Sequence, residues 1–344
     1  MHVLITGGGG FIGRKLAAAL LRAGTVTLDD GVPRPIERMT LFDSIPGADV
    51  PPDPRVELVT GDITDREAVE SVAAEADLVW HLAAVVSAAA EADFDLGYRV
   101  NVDGTRLLLE ALRGTGRRPR VVFASSCAVF GGDMPQVITD EFHPTPQSSY
   151  GSQKAIGELL IADYSRKGFI DGRGLRLPTI VVRPGKPNKA ASTFASSIIR
   201  EPLAGEEAVC PVRRDTAMYV LSPRRVVEAL LRAMRLPDAA WGSPRTLVLP
   251  GITATVADMV DALARSAGQD TVDRIRWQPD PAIQRIVDSW PVRAEARRAR
   301  GMGFTDDGSF DAILLAHIED ELGGSVVPPS ATGLDRSHDR DVSS

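Results

Sequence analysis

Near the start of the chain, Thr6-Gly7-Gly8-Gly9-Gly10-Phe11-Ile12-Gly13 stands between a short apolar run, Val3-Leu4-Ile5, and an amphipathic run over residues 15–23 that stops at Gly24. No other stretch restricts the fold as tightly. Strand, glycine turn and helix follow one another, and Gly7, Gly10 and Gly13 fall at the spacing G-x-x-G-x-x-G. Glycine answers three demands there: a tight turn, the approach of a pyrophosphate, and close packing of a helix on a strand. The helix then aims its free N–H groups and positive dipole end at the phosphates. A glycine-rich turn without a ligand is the plainer reading of such a motif taken alone. Its position between a strand and a helix favours a dinucleotide site, with Gly7, Gly10, Phe11, Ile12 and Gly13 as the cradle.

The alternation continues. Met39-Thr40-Leu41-Phe42-Asp43, residues 56–59, Leu78-Val79-Trp80-His81-Leu82, Val121-Val122-Phe123-Ala124 and Ile180-Val181-Val182-Arg183 read as strands. Residues 65–74, 101–112 and 150–166 read as helices. Continuous apolar strands separated by helices imply an α/β fold, a doubly wound parallel sheet covered on both faces. A dinucleotide would lie across the carboxyl ends of its strands. Past Pro184 prolines and glycines become frequent and elements shorter, with a strand at 246–249 and helices at 256–267 and 310–322. The expected division is a dinucleotide-binding domain over residues 1–184, to which some later segments return, and a smaller C-terminal substrate-binding lobe over 185–324. The polar end, 325–344, is expected to be a disordered tail.

Composition removes several classes of function. A net charge of −7 argues against a general nucleic-acid surface. Cys127 and Cys210 are the two cysteines, and they form no metal-ligand spacing. No run approaches membrane-spanning length, and the first apolar run is too short for a secretory segment, so a cytoplasmic soluble protein is the default expectation.

A carboxylate at the end of the second strand should accept bonds from the adenosine ribose. Asp29 and Asp43 compete for that place. Asp29 lies at the more usual distance from the glycines. However, Asp29-Asp30-Gly31 looks like a hairpin turn, which would make residues 25–36 an insertion and leave Asp43, closing the stronger strand, as the favoured acid. Either acid repels a ribose 2′-phosphate and so favours NAD over NADP. Arg14 is a counter-signal, because an arginine beside the turn suits that phosphate. Asp62 and Ile63 would flank the adenine, and Asp62 reads equally well as a helix cap.

Tyr150 and Lys154 stand four apart at the start of a long helix, on one face. A tyrosine hydroxyl is a poor base, with an ordinary pKa of about 10. A neighbouring ammonium favours the phenolate. Ser126, at the carboxyl end of a strand, points at the crevice and would hold the reacting hydroxyl for Tyr150.

These residues together resemble a family. Thr6 to Gly13, Asp62, His81-Leu82-Ala83-Ala84, Asn101, Ser125-Ser126 with Val129-Phe130-Gly131, Tyr150-Gly151-Ser152-Gln153-Lys154 and Arg183-Pro184-Gly185 look like the extended short-chain dehydrogenase/reductases, the NAD-dependent epimerase/dehydratase group. The resemblance covers roughly residues 1–320. It implies a Rossmann-type domain with a small C-terminal lobe and NAD as cofactor. It implies Tyr150 as acid/base, Lys154 as its electrostatic partner, Ser126 as substrate orienter and Asn101 as support for the proton relay. Leu82, Ala83 and Ala84 would line the cofactor, with Ile180 and Val182 near the nicotinamide. A paired-helix homodimer is common in the group. The helices at 101–112 and 150–166 would supply it, although periodicity does not separate a dimer seam from a core face.

Within the group, Arg183-Pro184-Gly185-Lys186-Pro187-Asn188-Lys189-Ala190-Ala191-Ser192, the interruption before Met39, and Ser289-Trp290-Pro291 resemble a branch that oxidises a four-carbon sugar acid at C2 to the 2-keto acid. That branch also favours Asp43. A small-molecule sugar acid is therefore the expected partner, oxidised by hydride transfer from C2 with Tyr150 as base. Asn188 and Ser192, with Lys189 and Thr193, lie on the loop where substrate should sit, and Lys186 and Arg213 are further candidate anion partners. A nucleotide-sugar epimerase of the same family is the alternative. A dehydratase would carry an acidic pair where Cys127-Ala128 stands. A non-catalytic dinucleotide sensor would have no use for Ser126, Tyr150 and Lys154 together.

Overall fold

The computed structural model describes residues 1–45, 52–185 and 191–324. Asn188, Lys186, Lys189 and the segment 325–344 lie outside the described residues.

Seven strands form the central sheet: β1 (His2–Thr6), β2 (Arg38–Asp43), β3 (Val56–Thr60), β4 (Leu78–His81), β5 (Arg120–Ser126), β6 (Asp171–Leu177) and β7 (Thr246–Val248). Their order across the sheet is β7-β6-β5-β4-β1-β2-β3, and every neighbouring pair is parallel. The order reverses beside β1, which opens a crevice between β1 and β4 at their carboxyl ends.

Both faces are covered, as apolar strands require. Helix α1 (Phe11–Ala23) covers one face. Helices α2 (Arg66–Ala73), α3 (Thr105–Gly114) and α4 (Ser149–Arg166) cover the other, where Val69, Leu108, Leu112 and Ile161 meet Leu4, Val79, Val121 and Phe123. The α1 face is completed by a late segment, helix α5 (Pro223–Arg235). Its Val226, Leu230 and Ala233 share a core with Leu16, Leu20 and Trp80. The Trp80 indole N–H donates to the Leu230 carbonyl at 3.1 Å, so this buried ring has its one polar atom satisfied.

One expectation is corrected. The sixth strand of the sheet is Asp171–Leu177, not Ile180 to Arg183. Thr179–Ile180 instead pairs in parallel with Ala217–Leu221, in a separate three-stranded sheet that includes Ile252–Thr255. The Asp171-Gly172-Arg173-Gly174-Leu175-Arg176-Leu177 sequence carries three charges and two glycines, yet it is buried. Arg173, with no exposed surface, donates to the Asp171 carboxylate at 2.6 Å and to the carbonyls of Ala233 and Met234 at 2.7 and 2.9 Å. Those carbonyls belong to the last turn of α5, where a cation meets the negative end of the helix.

A second apolar cluster is built from Val181, Val182, Phe194, Ile198, Met218, Val220, Met259, Leu263, Ile313 and Leu314. These come from the short sheet and from the helices Phe194–Leu203, Val256–Ala267 and Phe310–Glu321. Lys15 of α1 pairs with Asp320 at 3.6 Å and also with Glu321, which ties the last of these helices to the first.

Residues 25–35 form the hairpin expected from their turn residues, Thr25–Thr27 against Pro33–Pro35, outside the main sheet. Among the described residues, no helix is long and apolar enough to cross a membrane.

Candidate active site

The turn after β1 is held by backbone bonds from Gly7 and Gly8 to the Phe42 carbonyl, at 2.8 and 3.3 Å. Gly7 has φ +71°, and a Cβ there would lie 2.7 Å from the Ala83 nitrogen. At Gly13 a Cβ would lie 2.3 Å from the Gly7 carbonyl oxygen. Both glycines are therefore demanded by the protein's own packing. Gly10 is different: a Cβ there would meet only the Gly7 oxygen, at 3.2 Å. It opens α1, which has no side-chain cap and no acid in its first turn. A positive helix end with no acid in its own first turn suits a pyrophosphate. The residues present fit a dinucleotide.

Asp43 ends β2 beside this turn, with Oδ2 accepting the Gly9 N–H at 3.0 Å and Oδ1 the Ile45 N–H at 3.1 Å. Asp29 sits elsewhere. Its carboxylate meets Arg120 at 2.8 Å, at the start of β5 and so at the amino edge of the sheet. Asp62 follows β3 and accepts the Thr64 N–H at 2.9 Å, while the cap of α2 is Asp65. Ile63 is buried below Gly104.

Behind the crevice runs a buried chain of hydrogen bonds. His81 Nδ1 lies 2.7 Å from Thr6 Oγ1 and Nε2 2.9 Å from Thr105 Oγ1. The Thr105 hydroxyl donates to the Asn101 carbonyl at 2.7 Å, so its proton is spent there. The His81 Nε2–H must then donate to Thr105, leaving Nδ1 to accept from Thr6. Burial and, after it, the Lys154 charge push His81 down to about 3, so the ring is neutral. Leu82 and Ala83 continue from it along the crevice, with Leu82 N–H donating to the Thr6 carbonyl at 3.0 Å, and Ala84 follows. Asn101 sits in a π-helical turn, Arg99–Gly104. Its amide donates to Val85 O at 2.9 Å and Gln153 Oε1 at 2.7 Å and accepts from Val85 N at 2.8 Å. The side chain expected to support a proton relay is thus committed to framing the site from behind.

β5 delivers Ser126 at its last residue, and α4 begins at Ser149 with Ser148 as cap. A Cβ on Gly151 would fall 2.1 Å from the Ala128 carbonyl. The bare glycine lets the first turn of α4 rest on the strand's end and brings Tyr150 against Ser126. The Tyr150 phenol lies beside Ser126, whose hydroxyl acts to lower the phenol's pKa. Lys154 donates to the Ala124 carbonyl at 2.8 Å, and its Nζ lies 4.8 Å from the Phe123 ring and 5.7 Å from the Tyr150 ring.

The electrostatics differ from those expected of a tyrosine–lysine pair. Burial pushes Tyr150 up to about 12, opposed by the Ser126 hydrogen bond and then by the Arg183 charge. Burial likewise pushes Lys154 down to about 8, with Glu158 opposing. The positive charge that acts on the phenol is therefore that of Arg183, a residue quoted in the sequence motif without a role. It donates to Ser192 Oγ at 3.5 Å, and its backbone is held by Ser196 and Arg200. Burial and the neighbouring Arg200 charge lower its pKa, while Tyr150 raises it. Among the described residues, no carboxylate pairs with Arg183. The only signal available in the sequence was its position, directly after a strand and before Pro184-Gly185.

Other expectations fare unevenly. Val182 is 0% exposed inside the second apolar cluster, so it has no surface to offer a cofactor, whereas Ile180 is partly exposed. Ser192 is brought to Arg183. Arg213 is exposed and already paired with Asp215 and Asp288 at 3.2 and 3.5 Å, which removes it from the anion partners. Cys127, next to Ser126, is buried and pushed up to about 12, so it is inert.

Comparison with known proteins agrees with this geometry. Residues 3–246 match the model of the NAD dependent epimerase/dehydratase family. The chain is 52% identical over 326 residues to a D-erythronate dehydrogenase of Cupriavidus necator, covering 93% of this chain and 98% of that protein. It is 43% identical over 323 residues to a D-erythronate dehydrogenase of Haemophilus influenzae, covering 94% and 100%. Among solved structures, a protein described as a nucleoside-diphosphate-sugar epimerase from Agrobacterium tumefaciens superposes with a TM-score of 0.89 at 47% identity, covering 95% of this chain and 96% of that one.

Proposed function

Since the chain belongs to the NAD dependent epimerase/dehydratase family, we propose that it is an NAD-dependent dehydrogenase of short-chain 2-hydroxy sugar acids, with D-erythronate as the leading substrate. The observation that carries this reading is the pairing of a buried phenol with a guanidinium at one crevice. The Ser126 hydroxyl and the Arg183 charge both act on the Tyr150 phenol, and Arg183 has no carboxylate of its own among the described residues. A 2-hydroxy acid presents an alcohol beside a carboxylate, and the two groups on the protein match the two on the substrate.

In this mechanism Ser126 and Tyr150 hold the C2 hydroxyl between them. Arg183, braced by Ser192, takes the carboxylate and fixes which carbon is presented. Tyr150, as phenolate, removes the hydroxyl proton as C2 gives up its hydride. NAD, when bound, supplies the hydride acceptor. Gly7, Gly10, Phe11, Ile12 and Gly13 would hold its pyrophosphate, Asp43 its adenosine ribose, Asp62 and Ile63 its adenine, and Leu82, Ala83 and Ala84 its length along the crevice. Lys154, at the floor of the site, would reach the nicotinamide ribose. With Tyr150 near 12 and carrying the proton at neutral pH, the rate of oxidation is expected to rise as pH rises above 7.

The test is absorbance of NADH over a panel of C4 to C6 sugar acids. The expected result is turnover with four-carbon 2-hydroxy acids and little with the corresponding alditols, which lack the carboxylate. Equal rates on acids and alditols would overturn the assignment. The epimerase description of the Agrobacterium tumefaciens protein favours a second reading. It predicts conversion of a nucleotide sugar without net NADH and no reaction with free acids.

A further inference from the structure

Below the reacting groups lies a buried cluster that the chemistry above does not use. Glu158 follows Lys154 by one turn of α4 and is 6% exposed. The Ser125 hydroxyl donates to its Oε1 at 2.5 Å. Arg176 of β6 donates from Nε to Oε1 at 2.9 Å and from Nη2 to Oε2 at 2.7 Å. Arg176 lies over the Phe130 ring at 5.0 Å. One carboxylate thus joins three elements. Its strand contact, Ser125, stands between Ala124, whose carbonyl receives Lys154, and Ser126, which lies beside Tyr150.

We propose that Glu158 is a positioning residue for the reaction: it locks the end of β5 against α4 and keeps the side chain of Lys154 charged. The inference rests on the dehydrogenase reading only for its consequence in turnover. Lys154 is surrounded by groups that do not stabilise an ammonium strongly. His81 behind it is neutral, the Phe123 and Tyr150 rings offer their faces, and the one hydrogen-bond acceptor is a neutral carbonyl. Of the nearby guanidinium groups, Arg183 acts on Tyr150 and Arg176 is paired with Glu158. Glu158, one helical turn along α4, is the carboxylate whose charge opposes the desolvation of Lys154. Held in a bidentate pair by Arg176, it cannot swing away to solvent.

The chain contains five lysines, Lys15, Lys154, Lys167, Lys186 and Lys189, so the ε-carbon resonances of a 13C-lysine-labelled sample are few, and Lys154→Met assigns the fifth. The free protein is titrated, and the Lys154 midpoint is compared between wild type, Glu158→Gln, and Glu158→Gln with Arg176→Gln. The double variant leaves no buried guanidinium without a partner and so protects the fold. We expect a wild-type midpoint well below that of the other four lysines, a further fall of about one unit in Glu158→Gln, and a smaller fall in the double variant, where loss of the Arg176 cation offsets part of the effect. Ser125→Ala, which keeps the carboxylate, should leave the midpoint in place. In turnover the alkaline limb of kcat should move to lower pH by the same interval. A wild-type midpoint at the ordinary lysine value, or a double variant with an unmoved midpoint, would overturn the proposal. Because the resonances are read without substrate, failure of the sugar-acid assay would count against the dehydrogenase reading alone.

Discussion

A single oxygen separates tyrosine from phenylalanine, and at position 150 that oxygen lies beside Ser126. Tyr150→Phe should therefore retain NAD binding in calorimetry while NADH formation falls by about a thousandfold or more. Arg183→Met should separate from it: KM for the acid rises by roughly ten- to a hundredfold, corresponding to about 1.5–3 kcal/mol for a charged hydrogen bond, with a smaller change in kcat. If Arg183→Met left KM untouched, the carboxylate would have to be held elsewhere. The two variants also show which residues the sequence exposes. Tyr150, Lys154 and Ser126 are legible because their spacing on a helix and at a strand end repeats a known pattern. Arg183 is not, because its role depends on facing a residue 33 positions earlier in the chain, a relation that local pattern does not carry. Asp43 is legible for a third reason: the turn residues of the 25–35 hairpin remove Asp29 from the sheet before any coordinate is known.

At the scale of elements, hydrophobic pattern identified β1, β2, β4 and β5 and missed β6. Its residues Asp171, Arg173 and Arg176 have the composition of a surface loop, and they are buried because each charge finds its opposite or a carbonyl inside. Ile180-Val181-Val182 drew attention instead because it is apolar: Val181 and Val182 enter the second core, and Ile180 packs against the first. The polar strand depends on its pairs. Asp171 receives Arg120 and Arg245 at 2.9 Å each, besides Arg173. Asp171→Ala should destabilise the protein by about 3–5 kcal/mol, because it leaves guanidinium groups buried without an anion. The urea midpoint measures this, and the specific activity of the remaining folded protein should be unchanged. A loss below about 1 kcal/mol would mean that the backbone carbonyls of α5 suffice for Arg173.

Over the whole molecule, the order of the chain and the order of the sheet diverge. The α1 face of the sheet is closed by α5 and its edge by β7, both from beyond residue 220. A fragment ending at Pro184 should fail to fold to a soluble NAD-binding unit, which sedimentation and calorimetry would show. A soluble fragment with wild-type NAD affinity would demonstrate an autonomous domain. The same arrangement bears on how the protein is made. About seventy residues separate β6 from the strand that covers it, so a ribosome working at roughly 5–20 residues per second leaves the β6 edge open for several seconds. During that interval a neighbouring nascent chain has the same opportunity to pair with it as β7 does later. Asp171, Arg173 and Arg176, which conceal the strand from a hydropathy reading, also make its edge a poor template for strangers. Replacing them with valine or isoleucine should therefore cost yield in the cell before it costs anything in the test tube.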